Sequence, residues 1–180
     1  LILLFHITRT KYWIRISKSR FQYNIEIPRR FNSENRMRFH NLGKSDLKIS
    51  SIIMGTFQAG KEKWVDIDDN QTAAAIRAAF DAGITTFDSA EAYGRGHAER
   101  ILGAALADVR DQVVLATKVS PNRLGYHQVL NACHGSLKNL QTDYIDLYQI
   151  HWPSGSFGGK VVPLEETMTA MIKLKQQGKI

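Results

Sequence analysis

The chain has 180 residues, 43% hydrophobic and 23% charged, with a formal net charge of +7, which is enough sequence to bury the core of one domain. The charge is uneven: residues 1–36 hold eight Lys and Arg against two Glu, whereas the remainder holds sixteen basic and fifteen acidic residues. A nearly neutral body argues against a nucleic-acid partner, and no apolar run approaches the roughly 18 residues of a membrane span.

Residues 1–36 differ in texture from the rest, with almost no Ala or Gly and few acids. They read either as an Arg-rich organellar transit segment or as translated sequence upstream of a start at Met37. Either way they are expected to be a basic leader, disordered or outside the fold, ahead of a domain covering 37–180. Cys133 is the only cysteine, so no intrachain disulfide can form. A reducing, cytoplasmic setting is expected, with the thiol buried in a helix.

From Met37 onward the elements come in order. Phe39–Leu42 and Leu47–Ile49 flank the turn Gly43-Lys44-Ser45-Asp46 and predict a short β-hairpin. Ile49–Thr56 reads as a first buried strand. Asp66 to Asn70 offer cap chemistry for a helix over Gln71–Phe80, which Gly83 ends. Three further units follow: strand Ile84–Phe87 with helix Glu99–Ala107, strand Val113–Thr117 with helix Tyr126–Leu140, and strand Tyr144–Ile150 with helix Leu164–Gln177. Gly178 stops the last helix, and Lys179-Ile180 open a fifth strand.

Strand starts at 84, 113 and 144 recur at the length of one βα unit. Continuously apolar strands imply a parallel sheet covered by helices. The expected fold is therefore α/β, a partial (β/α)8 TIM barrel of about the first four to five βα units behind a short hairpin. A closed barrel takes about 250 residues, so this one stops short of closure. A doubly wound dinucleotide fold would place Gly-x-Gly-x-x-Gly after its first strand. Gly55-Thr56-Phe57-Gln58-Ala59-Gly60 fails that pattern, and Gly94-Arg95-Gly96 suits a tight turn better than a phosphate cradle.

Four polar residues stand at or just beyond strand ends: Asp88, Tyr93, Lys118 and His151. Singly, Asp88 reads as a turn cap, Tyr93 as loop packing and His151 as a structural histidine. Lys118 is harder to set aside, because burying an unpaired ammonium is costly. In a barrel the ends of neighbouring strands converge on one rim, where active sites lie. An unaided phenol is a poor acid at neutral pH, but an adjacent ammonium favours its phenolate. Asp88 would orient Lys118, and His151 would hydrogen-bond a substrate oxygen, a set suited to protonating a carbonyl.

Phe87-Asp88-Ser89-Ala90-Glu91-Ala92-Tyr93-Gly94, Thr117-Lys118-Val119, Gln149-Ile150-His151-Trp152-Pro153 and Met54-Gly55-Thr56 together resemble the matching segments of the aldo-keto reductases, in the same order. The resemblance covers Met37 to Ile180. It implies an NADPH-dependent oxidoreductase that reduces an aldehyde or ketone, with Asp88, Tyr93, Lys118 and His151 as catalytic tetrad and Tyr93 as general acid. It further implies that Gly55, Thr56, Phe57 and Asp88 approach the nicotinamide of NADP(H). The partner is a small-molecule carbonyl substrate, and no metal ligand is assigned. Family segments that grip the rest of the cofactor belong to strands five to eight, so activity of this half alone is expected to be impaired. Ala98-Glu99 departs from a commoner Ser-Glu pair and would lose a helix cap. Two other readings stand beside this one: a Schiff-base lyase using Lys118, and a non-catalytic half-barrel or nicotinamide-sensing regulatory subunit.

Overall fold

The computed structural model describes residues 16–19, 22–25, 37–62, 64 and 66–180. The chain divides into two units, Leu1–Arg36 and Met37–Ile180. In the first, β1 (Ile16–Ser19) and β2 (Gln22–Ile25) pair antiparallel, with Ile16 opposite Ile25. The expected leader otherwise lies outside the described residues.

The second unit opens with the expected hairpin, β3 (Phe39–Asn41) against β4 (Lys48–Ser50), Phe39 opposite Ser50. A four-stranded parallel sheet follows in chain order: β5 (Ile53–Gly55), β6 (Thr86–Asp88), β7 (Val114–Val119) and β8 (Leu147–Ile150). After each strand comes a helix: α1 (Asp69–Asp81), α2 (His97–Leu106), α3 (Tyr126–Leu140) and α4 (Leu164–Gln176). Four strand–helix units thus run in barrel order.

The expected first strand over 49–56 is broken in two, and Ser50 is the reason. It is buried, and its hydroxyl donates to the Ile52 carbonyl (2.7 Å) while accepting the N–H groups of Thr85 and Thr86. Its own N–H donates to Thr86 Oγ1 (2.9 Å). Side-chain bonds replace ladder bonds there and turn the chain from hairpin to sheet. The fourth strand starts at Leu147 rather than Tyr144. Ahead of it, Asp146 Oδ2 accepts the N–H of Leu115 (2.9 Å), and the N–H of Ile145 donates to Lys179 O (3.0 Å). Lys179 therefore lies beside the start of β8, where a fifth strand was expected to open.

Helix ends follow their local chemistry. Asp68 caps α1 by accepting the N–H of Gln71 (2.8 Å), and Gly83 takes φ +92 after its end. The expected loss of a cap at position 98 does not arise. The N-cap of α2 is Gly96, and Ala98 is a buried residue inside the first turn.

Between helices and sheet lies one core. Phe87, Leu115, Val119 and Tyr148 from the strands meet Ile76 of α1, Leu102 and Leu106 of α2, Val129 and Leu137 of α3, and Leu174 of α4. Each large apolar side chain buried there contributes roughly 1.5–3 kcal/mol. Helices α2 and α3 approach closely at Gly103, where a Cβ would lie 2.5 Å from the carbonyl carbon of Leu140. With Phe87, Leu115 and Tyr148 committed to this layer, the two-residue period of a strand turns Asp88, Lys118 and Gln149 to the opposite face. Lys118 and Gln149 are direct register partners.

Candidate active site

Asp88 is the last residue of β6, and three elements hold it. Its carbonyl accepts both the N–H (2.9 Å) and the hydroxyl (3.1 Å) of buried Thr56, just past β5. Its carboxylate lies 2.6 Å from Lys118 Nζ through Oδ2, and Oδ1 accepts Gln149 Nε2 at 3.4 Å. Lys118, near the end of β7, donates in addition to the Ser89 carbonyl (2.7 Å). The side chains of Lys118 and Asp88 are 15% and 29% exposed, so this pair is well shielded but not dry. Two acceptors on one ammonium offset its desolvation, and the charge-assisted bonds are short for that reason.

Tyr93 reaches the same rim through a tight turn. Its N–H donates to Ala90 O (3.0 Å), and Gly94, Arg95 and Gly96 all take positive φ before α2 begins. Lys118 Nζ lies 5.2 Å from the centre of the Tyr93 ring, within range of a cation–π attraction. His151 follows β8, its N–H donating to Val119 O (3.0 Å). Its imidazole meets the Tyr93 ring edge-on, 5.5 Å between centres. Burial and then the Lys118 ammonium hold the His151 imidazole below its ordinary range, against the opposing pull of Asp88 and Glu91. A neutral imidazole at neutral pH follows.

All four expected residues thus come together, and the residues expected near the nicotinamide flank them. Gly55 ends β5 beside Asp88 in register, with open space where a Cβ would stand. Phe57 packs edge-on against Tyr93, 5.0 Å between ring centres, with a partly exposed ring. Thr56 donates its N–H and its hydroxyl proton to the Asp88 carbonyl and so braces the rim beside them. An uncovered glycine, an aromatic ring and a phenol at one rim fit the nicotinamide end of a dinucleotide. Trp152 stacks on His151 (6.3 Å, 28° between planes) and carries Phe157 against its edge.

Three contributors escaped sequence reasoning. The Ser89 carbonyl is a backbone group and leaves no side-chain signal. Gln149 stands in β8, two residues before the expected His151 that follows the strand, and the strand period alone could have marked it. Glu91 lies inside the Asp88–Tyr93 segment but looks like any surface acid; in the fold its carboxylate accepts the N–H of Ser120 and pairs with Arg123. Among the described residues no three side chains of metal-ligand type converge, and no helix is long and apolar enough to cross a membrane.

Residues 51–180 match the model of the Aldo/keto reductase family. The chain is 41% identical over 154 residues to Aldo-keto reductase YhdN of Bacillus subtilis (strain 168), a match covering 80% of this chain and 45% of that protein. It is 43% identical over 136 residues to methylglyoxal reductase YeaE of Escherichia coli (strain K12), covering 75% and 44%. The crystal structure of an aldo-keto reductase from Klebsiella pneumoniae in complex with NADPH superposes with a TM-score of 0.65 at 41% identity, covering 74% of this chain and 44% of that one. The chain therefore spans a little under half the length of these relatives, and its fold is the corresponding part of a (β/α)8 barrel.

Proposed function

Because this chain belongs to the aldo/keto reductase family, we propose that its rim is the catalytic half of an NADPH-dependent carbonyl reductase. One observation carries the reading: Lys118 Nζ sits 2.6 Å from Asp88 Oδ2 and 5.2 Å from the Tyr93 ring centre, with His151 against the same ring. The cofactor, when bound, supplies hydride to the carbonyl carbon. Tyr93 gives its phenolic proton to the carbonyl oxygen as charge builds there. Lys118 stabilises the phenolate left behind, a charge interaction strengthened by partial exclusion of water. Asp88 and the Ser89 carbonyl hold that ammonium in place. His151, neutral at working pH, hydrogen-bonds the carbonyl oxygen and sets its approach to Tyr93.

Gly55 and Phe57 are proposed to face the nicotinamide, with Asp88 beside them and Thr56 bracing the strand ends. The substrate is a small aldehyde or ketone. A reducing, cytoplasmic setting suits both the cofactor and the single buried thiol of Cys133. The chain by itself is expected to bind NADPH weakly and to reduce an aldehyde negligibly, because the family's remaining cofactor contacts lie outside these residues.

The test joins this chain to the second half of a relative and follows NADPH consumption with a small aldehyde. Turnover that Tyr93→Phe abolishes while NADPH binding persists supports the reading. Turnover retained by Tyr93→Phe removes Tyr93 as the acid and the proposal with it.

A further inference from the structure

Strand β7 carries Lys118, and a carboxylate–arginine pair grips each of its ends. At the start, the N–H of Leu115 donates to Asp146 Oδ2 (2.9 Å), and Arg110 Nη2 lies 2.7 Å from the same oxygen. Just past the finish, the N–H of Ser120 donates to Glu91 Oε1 (2.7 Å), and Arg123 pairs with Glu91 Oε2. The Glu91 side chain is only 10% exposed. Glu91 has a second hold, since its own N–H donates to the carbonyl of Lys118 (3.3 Å). Backbone and side chain of this one residue therefore bracket the segment from Lys118 to Ser120. The same residue belongs to the turn that delivers Tyr93 two positions later.

We infer that Glu91 is a positioning residue, which fixes the backbone carrying Lys118 against the turn carrying Tyr93 and so sets where the ammonium stands. The inference rests on the tetrad reading above. An exposed ion pair would contribute little. A shielded carboxylate that accepts a backbone amide and a guanidinium makes charge-assisted bonds, and leaving its partners unmatched is costly. The two grips on β7 also supply their own control. Both stabilise the strand, but only the Glu91 grip lies at Lys118.

Nuclear magnetic resonance of the lysine ammonium groups in the full chain reads the effect without needing turnover. A single slowly exchanging ammonium, identified by its loss in Lys118→Met, is expected for the parent. Glu91→Ala should speed its exchange with water about tenfold, the equivalent of one hydrogen bond. Glu91→Gln, which keeps an acceptor for the Ser120 N–H, should restore most of the protection. Asp146→Ala should lower stability yet leave the Lys118 signal unchanged. If Glu91→Ala does not fold, Arg123→Met decides, because it loosens the same carboxylate from a partly exposed position: faster exchange supports the inference and unchanged exchange overturns it. A protected ammonium indifferent to Glu91, or equally sensitive to Asp146→Ala, overturns the positioning role alone. A parent chain with no protected Lys118 ammonium overturns the tetrad reading as well.

Discussion

Gly60 and Gly94 meet backbone to backbone beneath the proposed acid. A Cβ on Gly60 would stand 2.7 Å from the Gly94 nitrogen and 2.8 Å from the Tyr93 carbonyl carbon, and one on Gly94 would stand 2.5 Å from the Gly60 oxygen. This contact sets the turn holding Phe57 against the turn holding Tyr93. Gly60→Ala should cost about 1–3 kcal/mol by overpacking. Gly94→Ala should cost more, because its φ of +60 adds backbone strain. Urea midpoints check both, and an unchanged midpoint for Gly60→Ala would show that the two turns yield freely.

The Asp88–Lys118 pair should behave asymmetrically. Removing the carboxylate in Asp88→Ala leaves an ammonium that is 15% exposed with the Ser89 carbonyl as its remaining acceptor. Removing the ammonium in Lys118→Met instead leaves a carboxylate with more access to water and a bond from Gln149. A loss of about 1–3 kcal/mol is expected for Asp88→Ala, below the range of fully buried pairs because solvent screens both groups. Lys118→Met should cost less. A double-mutant cycle measures the coupling, and a coupling of zero would mean that the 2.6 Å contact does not hold the site together.

Acidification should weaken the fold through His151. Its folded imidazole titrates below the ordinary range, first through burial and then through Lys118. As pH falls through the ordinary histidine range, the unfolded chain takes up a proton before the folded chain does. Stability from this group is thus complete above that range and lost as pH drops toward the folded value. His151→Gln should flatten part of the fall in stability between about pH 8 and pH 5. An identical pH profile in parent and variant would show that His151 titrates as it does in water.

Glu99 should matter to stability through its hydrogen bonds rather than through charge balance. It is completely buried; Thr117 Oγ1 donates to one oxygen (2.6 Å) and Asn139 Nδ2 to the other (2.9 Å), joining α2 to β7 and α3. Glu99→Ala strands two shielded donors beside a new void, and a loss of about 2–4 kcal/mol is expected. Glu99→Gln should lose less, since its amide still offers an oxygen and can rotate to suit its partners. Thermal unfolding of the two variants decides; equal losses would refute the hydrogen-bond account.

Cys133 should resist modification in the native chain. The thiol is fully buried, and burial pushes its pKa up to about 12, so almost no thiolate forms near neutral pH. A disulfide-exchange reagent should label it only after denaturant is added, and rapid native labelling would contradict its place in the core.

What could be read from the residues themselves was the kind of element and the chemistry at its end. Apolar runs closed by Asp88, Lys118 and His151, and glycines at positions 83 and 178, are local signals, because propensity and capping act over a turn or two. The order of the units then placed the three strand ends on neighbouring strands.

Only the folded chain decided which atoms hold those ends. Lys118 finds the Ser89 carbonyl 29 positions away, and Asp88 finds Gln149 at a separation of 61. Ser50 gave up a continuous first strand to bond Thr85 and Thr86, and Glu91 became a brace instead of a solvated acid. Such contacts depend on strand register and on which groups lose water. Both are set when distant segments pack, and neither is written in the pattern of any one segment.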